Sequence, residues 1–222
     1  MYQIETEDLG RKVYKVLRSM IINGDLRSGE KLVREELAAR LGVSRTPLQF
    51  AISKLEQENL VETLPRRGAH VRQYSHKELL DIYDIRCRLE PLAARDAAIN
   101  ATAEDIEGLA SVLAAFDAAV KDGDQQRLKR TDYEFHMELL RCCGNRFLFD
   151  MLATITIIVI SNTKGLLKPA ERSCMEHREV LEAIRQRDPD RAEALLYQHI
   201  NEGRTNLASS SEYMIGTESA AA

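Results

Sequence analysis

Four side chains carry the most suggestive chemistry in this 222-residue sequence: Asp132, His136, His177 and His199. Asp132 and His136 stand four residues apart, so on a helix both project from one face. His177 and His199 lie in two later segments, 22 residues from each other. Three helices could bring one carboxylate and three imidazoles together. Such a set suits Zn²⁺, Ni²⁺, Mn²⁺ or Fe²⁺ with coordination positions left open. Spacing alone leaves plainer readings open: an i,i+4 Asp–His ion pair, or histidines that only pack in a core.

A second group points to nucleic acid. Ser44, Arg45 and Thr46 open a predicted helix, where free N–H groups and a partial positive charge favour a phosphate. Arg45 can grip a guanine edge with two hydrogen bonds or clamp a phosphate, and Gln49 can read adenine. Arg66 and Arg67 precede Gly68 in a predicted turn, where a glycine lets backbone approach a groove. Taken alone, Arg66, Arg67 and Arg72 read as a solvated basic loop.

The elements that must position these groups follow from periodicity. Leu9, Val13, Val16, Leu17, Met20 and Ile21 recur at helical spacing between Glu7 and Asn23. A short helix over 34–41 ends at Gly42, and a third is expected from the N-cap Ser44 to Glu58. LVETL and AHVRQY then read as two strands around the turn Pro65–Gly68. Helix, helix, tight turn, helix and hairpin make a winged helix-turn-helix, placed at residues 1–75. From Ser75 onward the pattern is helical, with six to seven helices expected over residues 76–208. Ser75 and Glu78 form a capping box for a helix to Asn100, and Thr102 caps the next, to Lys121. Further helices are expected over 124–143, from Asn145 to Leu167, over 170–187, and from Asp188-Pro189 onward. Thr154 to Ile160 is β-branched and locally prefers strand, but Leu152, Ile155, Ile158 and Val159 fit a helical period. The tail over 209–222 is small and polar, the composition of a disordered end.

Composition sets outer bounds. One or two domains are expected at this length, with 44% hydrophobic and 30% charged residues. Apolar runs are too short for a membrane span, and no signal peptide is visible. Cys87, Cys142, Cys143 and Cys174 show no CxxC spacing, so reduced, buried thiols in a cytoplasmic protein are expected. The net charge of −4 argues weakly against a nucleic-acid binder. The charge is uneven, however: residues 1–75 sum to +3 and the remainder to −7. A basic module on an acidic body is what a DNA-binding domain joined to another domain gives.

The run Leu41-Gly-Val-Ser-Arg-Thr-Pro-Leu48, followed by Leu60-Val61 and Arg67-Gly68, resembles the signature of the GntR family of bacterial transcription regulators. The resemblance implies DNA contacts at Arg34, Ser44, Arg45, Thr46, Gln49, Arg66, Arg67 and Gly68. The sequence departs from the family pattern in two places. Leu48, Gln49 and Phe50 replace the usual Val-Arg-Glu, and Glu35 stands where an arginine is common, with Arg34 one place earlier. The helical remainder is similar to the FCD effector domain of FadR-type members. It carries Arg86-x-x-Leu89-Glu90, Asp132-x-x-Phe135-His136, Gly144-Asn145, Glu176-His177 and His199 in order. That likeness implies a divalent metal, Zn²⁺ first, on Asp132, His136, His177 and His199. It also implies Arg86 as partner of a small carboxylate effector, although an i,i+4 salt bridge with Glu90 is as good an account of Arg86. The expected protein is a homodimeric, metabolite-responsive repressor on a palindromic operator, and not an enzyme. The alternatives are a structural or metal-sensing site and, as a more distant rival, a metal-dependent enzyme using the ion to activate water.

Overall fold

A computed structural model describes residues 9–209. The tail expected to be disordered over 209–222 lies outside the described residues apart from Ser209, which is the last residue of a helix, and the start of the first helix at Glu7 lies outside them as well. The chain divides into two compact units between Gln73 and Tyr74.

The first unit contains α1 (Leu9–Asn23), α2 (Arg34–Leu41), α3 (Arg45–Gln57), β1 (Val61–Leu64) and β2 (Gly68–Val71). Helix α1 packs on α3, joining Val13, Leu17 and Ile21 to Leu48, Ile52 and Leu55 in one core. Each such side chain contributes roughly 1.5–3 kcal/mol by leaving water. Gly42 ends α2 in the left-handed region (φ 63°), its N–H reaching the carbonyls of Ala38 and Ala39. The strands pair antiparallel, Val61 opposite Val71 and Leu64 opposite Gly68, and are shorter than the predicted runs. Lys31 bridges to His70 beside them. At the hairpin tip both Arg66 (φ 62°) and Gly68 (φ 87°) take positive φ.

Among the described residues the second unit holds six helices: α4 (His76–Asn100), α5 (Ala103–Asp122), α6 (Gln125–Cys142), α7 (Arg146–Asn162), α8 (Ala170–Arg185) and α9 (Pro189–Ser209). The predicted capping box forms at Ser75/Glu78, and the predicted cap Thr102 forms a second box with Asp105. Helix α4 lies along α9, α5 packs on α6 and α8, and α6 on α7. The β-branched run is helical, because Leu152, Ile157 and Ile158 are buried and burial outweighs local preference. No helix among the described residues is long and apolar enough to cross a membrane.

Two expectations need correction. Helix α7 stops at Asn162, five residues before the predicted Leu167. Ser161 Oγ and Asn162 Nδ2 both donate to the Ile158 carbonyl, and Thr163 Oγ1 to that of Val159. Such side chains compete with the backbone for the last carbonyls and end the helix. The following segment, 163–169, is not helical and walls the site described next. Ser44 occupies the N-cap position of α3 with extended backbone, but its side chain makes no capping hydrogen bond.

Candidate metal and effector site

The interior of the second unit brings Asp132, His136, His177 and His199 together. One ligand atom from each lies within 4.8 Å of every other. Helix α6 supplies Asp132 and His136, α8 supplies His177 and α9 supplies His199. All three histidines are buried and Asp132 is half-buried.

The rings are held from behind. Phe135 stacks on His177 with centroids 3.9 Å apart. His136 Nδ1 lies 3.0 Å from Glu90 Oε2, though off the hydrogen-bond line, and His199 Nδ1 lies 2.8 Å from Glu176 Oε2. A carboxylate behind an imidazole orients the ring and leaves the other nitrogen's lone pair forward, the arrangement common behind metal-bound histidines. Ser173 Oγ donates to Asp132 Oδ1 at 3.1 Å and fixes that carboxylate.

Three observations test whether these residues fit a metal. His177 Nε2 is 3.1 Å from His199 Nε2 and 3.8 Å from Asp132 Oδ1. Ligands about 2.1 Å from a shared ion would stand roughly 3.0–3.4 Å apart; the His177–His199 pair already has that spacing, and the other donors stand somewhat wider, none more than 4.8 Å from another. His177 Nδ1 is buried without a hydrogen-bond partner. Its other nitrogen, Nε2, is the one that faces the cluster. Burial, then the neighbouring imidazoles, holds His177 well below the ordinary histidine value; burial, His136 and Lys168 do the same for His199. Both rings are thus neutral near pH 7, the form that binds metal.

This has a pH consequence for the metal-free protein. Both folded-state values lie below the unfolded value of 6.5, so the unfolded chain takes up protons that the folded chain refuses. Stability is complete above pH 6.5 and falls below it, by up to about 1.4 kcal/mol per pH unit for each group. Thermal melts in chelator should drop steadily from pH 7 to 5.5. A flat melting temperature over that range contradicts the burial of neutral rings.

Beside the cluster lies a cavity lined by Arg86, Lys129, Asp132, His136, Thr156, Lys168, Ser173 and His199, among others. Arg86 is buried and paired with Glu90 through two contacts, its guanidinium 4.8 Å from the Tyr83 ring centre. Burial alone would disfavour both charges; the pairing outweighs it, raising Arg86 and, with His136, holding Glu90 well below the carboxylate range. Both readings of Arg86 therefore coexist geometrically: it is in the salt bridge and it faces the cavity. Lys168 bonds Glu176 Oε2 at 2.6 Å and the His199 carbonyl at 2.9 Å. Burial raises the Glu176 carboxyl, but Lys168 and Arg172 prevail and keep it low.

Thr156 lines the cavity, whereas Asn162 turns its Oδ1 to the Tyr74 N–H at 3.0 Å. Asn145 caps α7 by accepting from Leu148 N. Cys174 donates to Asp117 Oδ1 at 3.1 Å, burial pushes its thiol up to about 12, and it is not one of the converging donors. All four cysteines are buried. Ser173, Lys168 and Lys129 escaped the sequence reading. Ser173 stands one helical turn before His177, a signal that spacing could have offered.

In the first unit, Ser44, Arg45, Thr46 and Gln49 lie exposed at the start of α3, beside Phe50 at 43% exposure. Arg45 sits 3.4 Å from Glu35, both side chains largely in water (81% and 67%), so the pair is screened and easily exchanged for a phosphate. Arg34, Arg66 and Arg67 are exposed as well. Gln49 Nε2 rests on Ser53 Oγ at 3.1 Å.

A winged helix-turn-helix with an exposed, arginine-bearing helix start, followed by a separate helical bundle, defines a DNA-binding transcription regulator. Residues 9–71 match the bacterial regulatory proteins of the gntR family, and residues 81–202 match the FCD domain. The chain belongs to the GntR family of bacterial transcription regulators and carries an FCD domain, so it is not an enzyme. It is 30% identical over 201 residues to the HTH-type transcriptional repressor GlaR of Escherichia coli, covering 84% of this chain and 90% of that protein. It is also 30% identical over 187 residues to a probable D-xylose utilization operon transcriptional repressor of Paenarthrobacter nicotinovorans (81% and 80% covered). E. coli McbR/YncC shares the fold, with a TM-score of 0.79 at 22% identity over 92% of this chain and 99% of that one.

Proposed function

We propose that this regulator is a repressor whose FCD domain holds a divalent metal on Asp132, His136, His177 and His199 and senses a small carboxylic acid in the adjoining cavity. The observation that carries this reading is the convergence of those four donors beside a cavity that Arg86 enters. A bound ion, Zn²⁺ by preference, would supply fixed positive charge and open coordination positions for an acid. The chain's own residues do the rest. Glu90 and Glu176 hold the His136 and His199 rings, Ser173 holds the Asp132 carboxylate, and Arg86 offers guanidinium N–H groups to the ligand. The acid shifts operator affinity only as far as it binds the DNA-free form better than the DNA-bound one.

On DNA, a homodimer would set two α3 helices in successive major grooves of a palindromic operator. Arg34, Ser44, Arg45, Thr46, Gln49, Arg66, Arg67 and Gly68 are the proposed contacts. The second unit exposes Phe147 (85%) and Met151 (58%) one turn apart on α7, apolar surface of the kind a second copy covers. Repression follows the two relatives named as repressors.

Arg45→Ala tests the DNA face. One lost base or phosphate contact is worth about 1–3 kcal/mol, so operator affinity should fall roughly 10- to 100-fold in a gel shift at physiological salt. Unchanged affinity removes Arg45 from the principal contacts.

A further inference from the structure

We infer that the cavity beside the histidine cluster takes a ligand with two anionic groups, and that Lys129 holds the second of them. This deepens the acid-sensing site proposed above and rests on it. Lys129 stands three residues before Asp132 and seven before His136 on α6, so all three lie on one helical face. All three line the same cavity. Along the helix axis Lys129 is displaced from Asp132 by roughly 4.5 Å, which sets a second anchor apart from the metal-ligand end.

The other two cations of the wall are already neutralised: Arg86 by Glu90 and Lys168 by Glu176. Lys129 differs. Its Nζ donates to the Thr163 carbonyl at 2.6 Å, and among the described residues no carboxylate pairs with it. Its side chain is half-buried, and desolvation pulls its ammonium down to about 8. A cation held partly dry against one neutral acceptor is poorly compensated, and an incoming anion supplies what is missing. Thr163 follows the last residue of α7 and lines the cavity together with Lys129.

The test uses the full-length, Zn²⁺-loaded protein and titration calorimetry. The probes are the straight-chain dicarboxylates from malonate to adipate, monocarboxylates of equal length, and 3-phosphoglycerate. The best dicarboxylate should bind at least roughly tenfold tighter than its monocarboxylate, the worth of one charge-assisted pair. Lys129→Met should bring the two within about twofold. It should leave monocarboxylate affinity unchanged, with a melting temperature equal to the wild type's or higher. Lys129→Arg should keep the preference. Lys129-dependent binding of 3-phosphoglycerate also supports the inference, with phosphate as the second group. Equal affinity for mono- and dicarboxylates, still dependent on Zn²⁺ and Arg86, overturns the role of Lys129 and leaves the acid-sensing site standing. Failure of every acid to bind overturns both. A Lys129→Met protein that melts lower and binds all acids more weakly alike makes Lys129 a clamp on the Thr163 carbonyl, and overturns the inference.

Discussion

The double variant His136→Ala/His199→Ala is expected to lose its metal, while the wild type retains about one divalent ion per chain on purification. The two residues supply two of four converging donors from two different helices, so their removal leaves Asp132 and His177 alone. Two remaining donors cannot close a site that normally needs three or four protein ligands. The loss should be visible in stability as well. An ion present at a thousand times its dissociation constant adds roughly 4 kcal/mol to the folded state. For a unit of this size that raises the melting temperature by roughly 10 °C. Added Zn²⁺ should produce that rise in wild type first stripped by chelator and none in the double variant treated the same way. Elemental analysis and thermal melts read the two effects separately. Wild-type metal content in the double variant would exclude the assigned ligand set.

Glu90→Ala carries the other large effect. Glu90 is buried at 1% exposure between two partners, bonded to Arg86 on its own helix and 3.0 Å from His136 on α6. Truncating it strands the Arg86 charge in a site with 4% exposure. Breaking a buried pair from one side costs about 3–5 kcal/mol, because the remaining charge keeps its desolvation penalty. The second unit should then melt roughly 10 °C lower. Metal affinity should fall as well, by roughly 10- to 100-fold, since the His136 ring loses the carboxylate behind it. Glu90→Gln keeps an acceptor of the same shape for Arg86, so it should destabilise less. Should Glu90→Ala melt within 2 °C of the wild type, roughly the effect of less than 1 kcal/mol, the buried pair contributes little.

Much of the fold was legible because it depends on local chemistry. The Ser75 and Thr102 capping boxes, Gly42 and the Arg66–Gly68 turn announce element ends by residue type alone. Where tertiary contacts decide, local reading falters. The end of α7 depends on Ser161, Asn162 and Thr163 turning back on the helix, and on Asn162 accepting from Tyr74, 88 residues away. The Ser44 hydroxyl has the right position to cap α3 yet leaves the bond unmade.

The site divides the same way. Asp132 and His136 share a face by spacing, but nothing local says that His177 and His199 meet them. The family likeness suggested it, and the packing of α6, α8 and α9 brings the four side chains together. The supporting groups were hidden for a different reason. Ser173, Lys168 and Lys129 are ordinary surface types in a sequence. Only the tertiary packing gives them their partners: Asp132 for Ser173, Glu176 for Lys168 and the Thr163 carbonyl for Lys129.

The central claim is that acid sensing and DNA binding are coupled through the metal site. It is tested most directly by fluorescence anisotropy on a duplex that the protein itself selects from a random pool. The duplex would be titrated with protein at several dicarboxylate concentrations, once with Zn²⁺ and once in chelator. The account predicts that the acid weakens operator binding by at least roughly fivefold when Zn²⁺ is present, the lower end of ordinary allosteric coupling, and has no effect in chelator. Operator affinity that ignores every acid in the presence of Zn²⁺, or that responds equally without it, would contradict the account.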